Sequence, residues 1–553
     1  MGAEEKDVSQ AGMGFPPPHS PVADEESVIV TSTTDLHRRL NNRQVQLIAI
    51  GGSIGTAIFV SIGGALINAG PGSLLVAWIL YSCIIGLVNN CMAEMATYMP
   101  VSASFIRHAG HWVDDAFGFM AGWNFFFYEA ILIPFEIVAL NLVLTFWRDD
   151  IPVAAVCCAC IVAYGLLNIL AVRVYGEAEF WLSGGKVFLV AIVFSFTFVT
   201  MCGGNPQNDA YGFRHWNSPE PFLEYLSTGS LGRFEGFLAA LWQGAFTIVG
   251  PEYIAMVAGE VRNPRPVLKK AFKTVYIRFA LFFIGSAIFV GIALPPNDPT
   301  LNRILSTGNG AGTGAASPYV IAMQNLGVDG LPHLVNALLI TSIFSAGNTY
   351  VYCATRTLHG LATDGHAHHW LRKTTNNGVP IYCFAIVMIF PFISLLQVSN
   401  SSAVVITWLV NLVTAGGLIN FIVMSLTYIF FYKACKAQGL DRRTLPYRGW
   451  FQPYSAYISS SFLILVVFTY GYSVFRKGGW DIGTFFTYYT MLILAPINFL
   501  GWKLFKRTKL IKAAECDLIW DLPAIELHEE ECANDAPLFS VRKSFRKTVL
   551  RRG

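Results

Sequence analysis

The chain has 553 residues, of which 54% are hydrophobic and only 13% charged, about half the roughly 25% charge of a soluble domain. The apolar residues come in runs near twenty long, the length one helix needs to cross about 30 Å of hydrocarbon, so the chain reads as a polytopic membrane protein. A net charge of +3 gives no case for nucleic acid, and the 11 Cys lie mostly inside apolar runs (Cys157, Cys158, Cys160), as reduced packing residues do.

Residues 1–36, with Pro16-Pro17-Pro18 and acidic and Ser/Thr clusters, read as a disordered cytosolic tail. A transmembrane domain over 37–505 follows, then a cytosolic C-terminal tail over 506–553. Within the domain the hydropathy pattern predicts twelve spans, near 45–68, 73–98, 117–146, 152–172, 180–202, 234–258, 274–294, 332–355, 380–398, 402–432, 454–475 and 482–502. With the N-terminus inside, the inner segments hold 24 Lys and Arg and the outer ones six. This bias places both termini in the cytoplasm.

Span one is interrupted by Gly51-Gly52-Ser53-Ile54-Gly55-Thr56, and span six by Phe246-Thr247-Ile248-Val249-Gly250-Pro251-Glu252. Irregular backbone at membrane depth is tolerated only against protein or a wet cavity. Breaks at matching positions of two five-helix halves point to an inverted repeat with a substrate site at mid-membrane, followed here by two further helices. Freed amide N–H groups at a half-helix N-terminus suit a carboxylate, and freed carbonyls at a half-helix C-terminus suit an ammonium. Such a pocket matches an α-amino acid.

Each ionisable residue inside a span costs about 3 kcal/mol on insertion scales and so marks function. Four stand out: Glu94, Glu136, Lys186 and Glu252. A buried Lys readily binds and releases a proton, so Lys186 is the coupling candidate, with snorkelling to the headgroups as its bland alternative. A Lys in that place also leaves little room for a sodium ion. Glu94 reads as a stabiliser of an inner loop, and Glu136 faces the site or caps a kink at Pro134. Phe246 is the candidate lid. The His366, His368 and His369 group lacks a second ligand cluster, so neither metal chemistry nor any other enzyme reading is favoured. No cofactor is expected. A single chain with paired broken helices also fits alternating access better than a channel.

Several ordered motifs resemble the fungal (yeast-type) branch of the amino acid-polyamine-organocation permeases over roughly 37–515. They are Ile48 to Thr56, Glu94 to Pro100, Gly118-Phe119 with Gly122-Trp123-Asn124, Pro134-Phe135-Glu136, Gly176 to Trp181 with Lys186-Val187, Gly212 to Trp216, Gly259 to Arg265, and Ser345 to Asn348 with Arg356. The resemblance implies a plasma-membrane importer of amino acids driven by protons. Carried over by position, Ser53, Ile54, Gly55 and Thr56 would hold the substrate carboxylate, and exposed backbone near Ala49, Phe246 and Thr247 the amine, beside Gly250. Ile248 falls near the usual aromatic lid, Pro251 replaces a small or β-branched residue before Glu252, and Ala103 stands where relatives have Gly. A Glu136 in the pocket would repel an acidic side chain, which favours neutral or broad selectivity over an acidic amino acid permease. A transporter-like nutrient sensor is a further alternative. The C-terminal tail, with Leu518 to Asp521 and Glu529 to Glu531, is expected to dock on the inner face or to recruit cytosolic regulators.

Overall fold

The computed structural model describes residues 40–534, apart from 149, 171, 308–316, 376–377 and 401. The 1–36 tail and the last part of the C-terminal tail therefore lie outside the described residues, as do the side chains of 170–180.

Helices build the described molecule, and no β-strand forms among its residues. In chain order the first half holds α1 (Asn42–Ser53), a π-helical stretch (Ala57–Ser61), α2 (Ile62–Tyr98), α3 (Ser104–Trp112), α4 (Asp115–Leu144), α5 (Val153–Leu170) and α6 (Val172–Met201). The short α7 (Arg214–Asn217) leads to the second half. That half holds α8 (Gly229–Thr247), α9 (Pro251–Met256), α10 (Pro264–Arg278), a second π-helical stretch (Phe279–Ile284), α11 (Gly285–Ala293), α12 (Pro299–Thr307), α13 (Pro318–Asn325), α14 (Leu331–Thr363), α15 (Ile381–Val387) and α16 (Ser402–Ala437). Two further spans follow, α17 (Tyr454–Thr469) and α18 (Ile482–Lys506), and then α19 (Leu522–Asn534).

These elements are the twelve expected spans, differently cut. Eight helical stretches are long and apolar enough to cross a membrane, and α5 and α17 are shorter apolar helices. The 42-residue stretch Ala57–Tyr98 contains both the second half of span one and all of span two. It bends at Gly70, whose φ of 77° only glycine adopts without strain, and Pro71 opens the second limb. Gly72 N–H donates to the Pro221 carbonyl at 2.8 Å and Leu223 N–H to that of Ala69 at 3.0 Å, so the loop before α8 covers this bend. Beyond α15 the ninth span continues as a 3₁₀ stretch, Phe390–Val398, with Pro391 in its first turn, while Pro496 lies inside a continuous α18.

α4 is the central helix, with its apolar length almost wholly inside the bundle. α14 lies along it because the motif Ser345-Ala346-Gly347-Asn348 is small. A Cβ added to Gly347 would sit 2.1 Å from the Tyr164 hydroxyl and 3.3 Å from Glu136 Cβ. Small residues allow such close helix approach inside a membrane.

Past α18 the chain turns back over one end of the bundle. Ile511 N–H donates to the Val113 carbonyl at 2.9 Å, Trp112 Nε1 to that of Asp517 at 3.1 Å, and Arg265 pairs with Glu529 at 2.9 Å. Leu40 pairs with the segment 260–262 at this same end, so the start of α1 and the docked tail share one face.

Candidate functional site

Both interruptions form where Gly and Pro punctuate the sequence. α1 ends at Ser53 and leaves Ile54, Gly55 and Thr56 outside helical structure before the π-helical stretch. α8 ends at Thr247, Ile248 to Gly250 are non-helical, and α9 restarts on Pro251, whose missing N–H costs nothing at a first helical position. Pro251 therefore suits a restart here.

The span-one break packs directly on α4. Thr56 Oγ1 donates to Glu136 Oε2, and a Cβ added to Gly55 would lie 2.9 Å from Glu136 Oε1 and 3.5 Å from the Tyr350 hydroxyl. Only glycine allows the carboxylate this close. Glu136 faces the break and does not cap Pro134; it is 1% exposed.

Helix C-termini leave carbonyls without intrahelical partners, and at the end of α1 side chains from other spans take them. Lys186, on α6, donates its ammonium to the Gly51 carbonyl at 2.6 Å, and the Tyr350 hydroxyl on α14 donates to that of Gly52 at 3.3 Å. Lys186 is 0% exposed, so it points into the bundle and does not snorkel. It also lies within electrostatic range of Glu136. Ala49 is placed differently from the backbone at the break. Its carbonyl sits within α1 and accepts from Ser53 Oγ.

Around the span-six break, Phe246 stacks edge-on against Phe135 at 5.2 Å, and Thr247 Oγ1 donates to the Gln243 carbonyl at 2.7 Å. Ile248 N–H closes the last turn of α8 on Gly244, at 2.8 Å. Gly250 N–H donates to Glu252 Oε2 at 3.0 Å, while Glu252 Oε1 is buried and has no partner among the described residues. α9 meets α1 at Gly52, where an added Cβ would come within 2.7 Å of the Tyr253 ring. The two breaks thus face a common centre formed with α4, α6 and α14.

Glu94 lies away from this centre. Arg442 grips its carboxylate with two bonds of 2.7 Å and Gly449 N–H adds one of 2.6 Å, which ties α2 to the loop between α16 and α17. His366 pairs with Asp115 at 2.8 Å near the docked tail.

One ionisable group inside α4 escapes the sequence reading. Glu129, seven residues before Glu136 and hence on nearly the same helix face, is buried beside α9. Its carboxylate inside an apolar span was the available signal, masked by the aromatic run Phe125 to Tyr128 that precedes it.

Two broken helices facing each other inside a bundle of this many spans define a multi-span membrane transporter, not an enzyme. The chain belongs to the amino acid permease family, whose family model matches residues 44–514. It is 45% identical to the general amino acid permease AGP2 of Saccharomyces cerevisiae, over 93% of this chain and 87% of that one. It is 35% identical to the dicarboxylic amino acid permease of the same yeast, over 93% and 85% of the two chains. Its fold resembles the manganese transporter of Eremococcus coleocola at a TM-score of 0.51, with 12% identity and coverage of 88% and 94%.

Proposed function

We propose that this permease imports amino acids of broad or neutral character across the plasma membrane by proton symport, with both termini in the cytoplasm. The observation that carries the reading is the bond from Lys186 to the Gly51 carbonyl, at the end of the half-helix that precedes the first break. A charge-assisted bond is about twice as strong as a neutral one. While protonated, Lys186 holds the end of α1 against α6. Loss of the proton weakens that hold and frees α1 to move, so that the site opens to one side at a time. Proton and substrate movement are coupled through one carbonyl.

The backbone of Ser53 to Thr56 receives the substrate carboxylate through the amides at the start of the second half-helix, Gly55 and Thr56, since the Ile54 N–H closes the last turn of α1 on the Ile50 carbonyl. Carbonyls ending α8, at Phe246, Thr247 and Ile248, receive the ammonium, with Ala49 and Gly250 flanking the pocket and Glu252 as a second proton carrier. Phe246 closes over the substrate, backed by Phe135. Glu136 adds negative charge beside the seat of the α-carboxylate, so a substrate that brings a second carboxylate in its side chain is disfavoured more than one that brings the α-carboxylate alone. This sets the reading against an acidic amino acid permease, although one relative bears that name. The docked tail is the surface available to cytosolic regulators.

The test is uptake of labelled Leu, Phe, Pro, Glu, Asp and Arg into transport-deficient cells at about pH 4.5 and 7.5. Broad uptake that rises in acid supports the reading. Uptake confined to Asp and Glu overturns the selectivity, and no uptake by protein confirmed at the surface turns the reading to a transporter-like sensor.

A further inference from the structure

Glu129 is 0% exposed, and neither of its carboxylate oxygens has a hydrogen-bond partner among the described residues. Three other buried carboxylates are held by cations, Glu94 by Arg442, Glu235 by Arg476 and Asp114 by Lys503, and Glu136 and Glu252 each accept at least one hydrogen bond. Burying a charge without a partner is costly, and each such group in a folded protein calls for an explanation. Glu129 is not isolated in this respect. Its charge interacts with that of Glu252, and the Tyr253 hydroxyl lies near it, outside hydrogen-bond geometry. Glu252 Oε1 and the hydroxyls of Tyr253 and Tyr81 are also buried and unpartnered among the described residues, and Tyr81 in turn interacts with Glu252. Four orphaned polar groups from α2, α4 and α9 therefore converge.

The chemistry of that cluster is acidic and aromatic. No Lys, Arg or His acts on Glu129 among the described residues. Tyr128 and Tyr350 join Tyr253 around it, and tyrosine faces attract cations, the more so when desolvated. Two members of the cluster adjoin the breaks, Glu252 through the bond from Gly250 N–H and Tyr253 through its ring against Gly52, while Glu129 is set back from the first break along α4. Seven residues along α4 is two turns, about 10 Å, between Glu129 and the Glu136 that touches Gly55 and Thr56. We propose that Glu129 seats the distal positive charge of an elongated substrate whose other end lies at the helix breaks. That charge is an ammonium or guanidinium group, on a dibasic amino acid or on a linear di- or polyamine. The inference rests on the reading of the two breaks as the substrate site. It adds a cation-selective end to that site, and makes Glu129 a specificity residue.

The test uses full-length protein in cells without their own amino acid or amine uptake, with surface amount measured. In the wild type, unlabelled lysine, arginine, putrescine and spermidine are set against labelled leucine, with glutamate for comparison. Uptake of labelled lysine and spermidine relative to leucine is then measured for Glu129→Gln and Glu129→Asp. The expected result is competition by the cationic compounds, a cation-to-leucine ratio about tenfold lower in Glu129→Gln, and a ratio kept within about threefold in Glu129→Asp. Competition by lysine and arginine alone means that the substrate carboxylate is also needed, while competition by the amines too means that the two cationic ends suffice. Either supports the seat. Leucine uptake that no cationic compound inhibits overturns the inference and leaves the proposed function standing, as does an unchanged ratio in Glu129→Gln. Failure of the wild type to take up any of these compounds overturns both.

Discussion

The Lys186 ammonium and the Gly51 carbonyl are 2.6 Å apart, a bond that joins α6 to the last turn of α1 just before that helix breaks. A substitution at Lys186 removes the charged donor while leaving the breaks themselves in place. Lys186→Ala is therefore expected to flatten the acid stimulation of uptake, with the rate at about pH 4.5 falling roughly tenfold towards the rate at 7.5. Uptake at both values, normalised to surface protein, checks this. A variant that keeps its full acid stimulation would remove Lys186 from coupling.

Glu136 and Thr56 meet at the first break, and the contact tests selectivity separately from coupling. Glu136→Gln keeps a hydrogen-bond acceptor for Thr56 and removes the negative charge that opposes an acidic substrate. The Glu-to-Leu uptake ratio is expected to rise by about tenfold or less. A ratio equal to that of the wild type would exclude Glu136 from specificity.

Where the chain unwinds was legible in the sequence to within a turn, because Gly55 and Gly250-Pro251 punctuate the two apolar runs, although Gly51, Gly52 and Ser53 stay in α1. Lys186 and Glu136 were legible for a related reason: a charge in an apolar run is expensive enough to be noticed. Glu129 has the same signature but follows Phe125-Phe126-Phe127-Tyr128, and a run of aromatics draws attention to packing. The oddity at Ala103 gains an account only from backbone geometry. It occupies the left-handed region at φ 50°, which suits the glycine expected there. The docked tail was the least legible part, since α19 has little apolar periodicity and its seat depends on partners far away in sequence, Trp520 on His111 and Glu529 on Arg265.

Glu94 and Arg442 form a stability test independent of transport. Glu94 is 0% exposed at its side chain and Arg442 16%, and removing one partner of a buried pair leaves an uncompensated charge, at a cost of about 3–5 kcal/mol. Arg442→Gln should therefore lower the thermal transition of the detergent-solubilised protein strongly. The double variant Glu94→Gln with Arg442→Gln should recover much of that loss, because no lone charge remains. Fluorescence-detected size exclusion after heating reads both, and equal losses in the single and double variants would refute the pairing argument.

The tail has its own chemical control point. His111 on α3 stacks on Trp520 with ring centroids 4.0 Å apart, while the Arg107 guanidinium lies 4.7 Å over the same indole. Burial holds the His111 imidazole below its ordinary value of 6.5, and Arg107 pushes in the same direction against Asp364, Asp517 and Asp115. The docked ring is thus neutral where a released ring would begin to take up a proton. Above about pH 6.5 both are neutral and docking does not depend on pH. As pH falls below that, the released state gains protons first, and docking weakens until the lowered value is passed. Under the proposed orientation, this makes acidification of the cytosol a signal that loosens residues 507–534. Alkylation of Cys532, whose thiol donates to the Arg262 carbonyl at 3.2 Å, reports release once the exposed Cys83, Cys158 and Cys202 are changed to Ser. Alkylation at about pH 6, relative to that of His111→Gln at the same pH, should exceed the corresponding ratio at about pH 7.5. Identical ratios would show that the His111 stack does not govern docking.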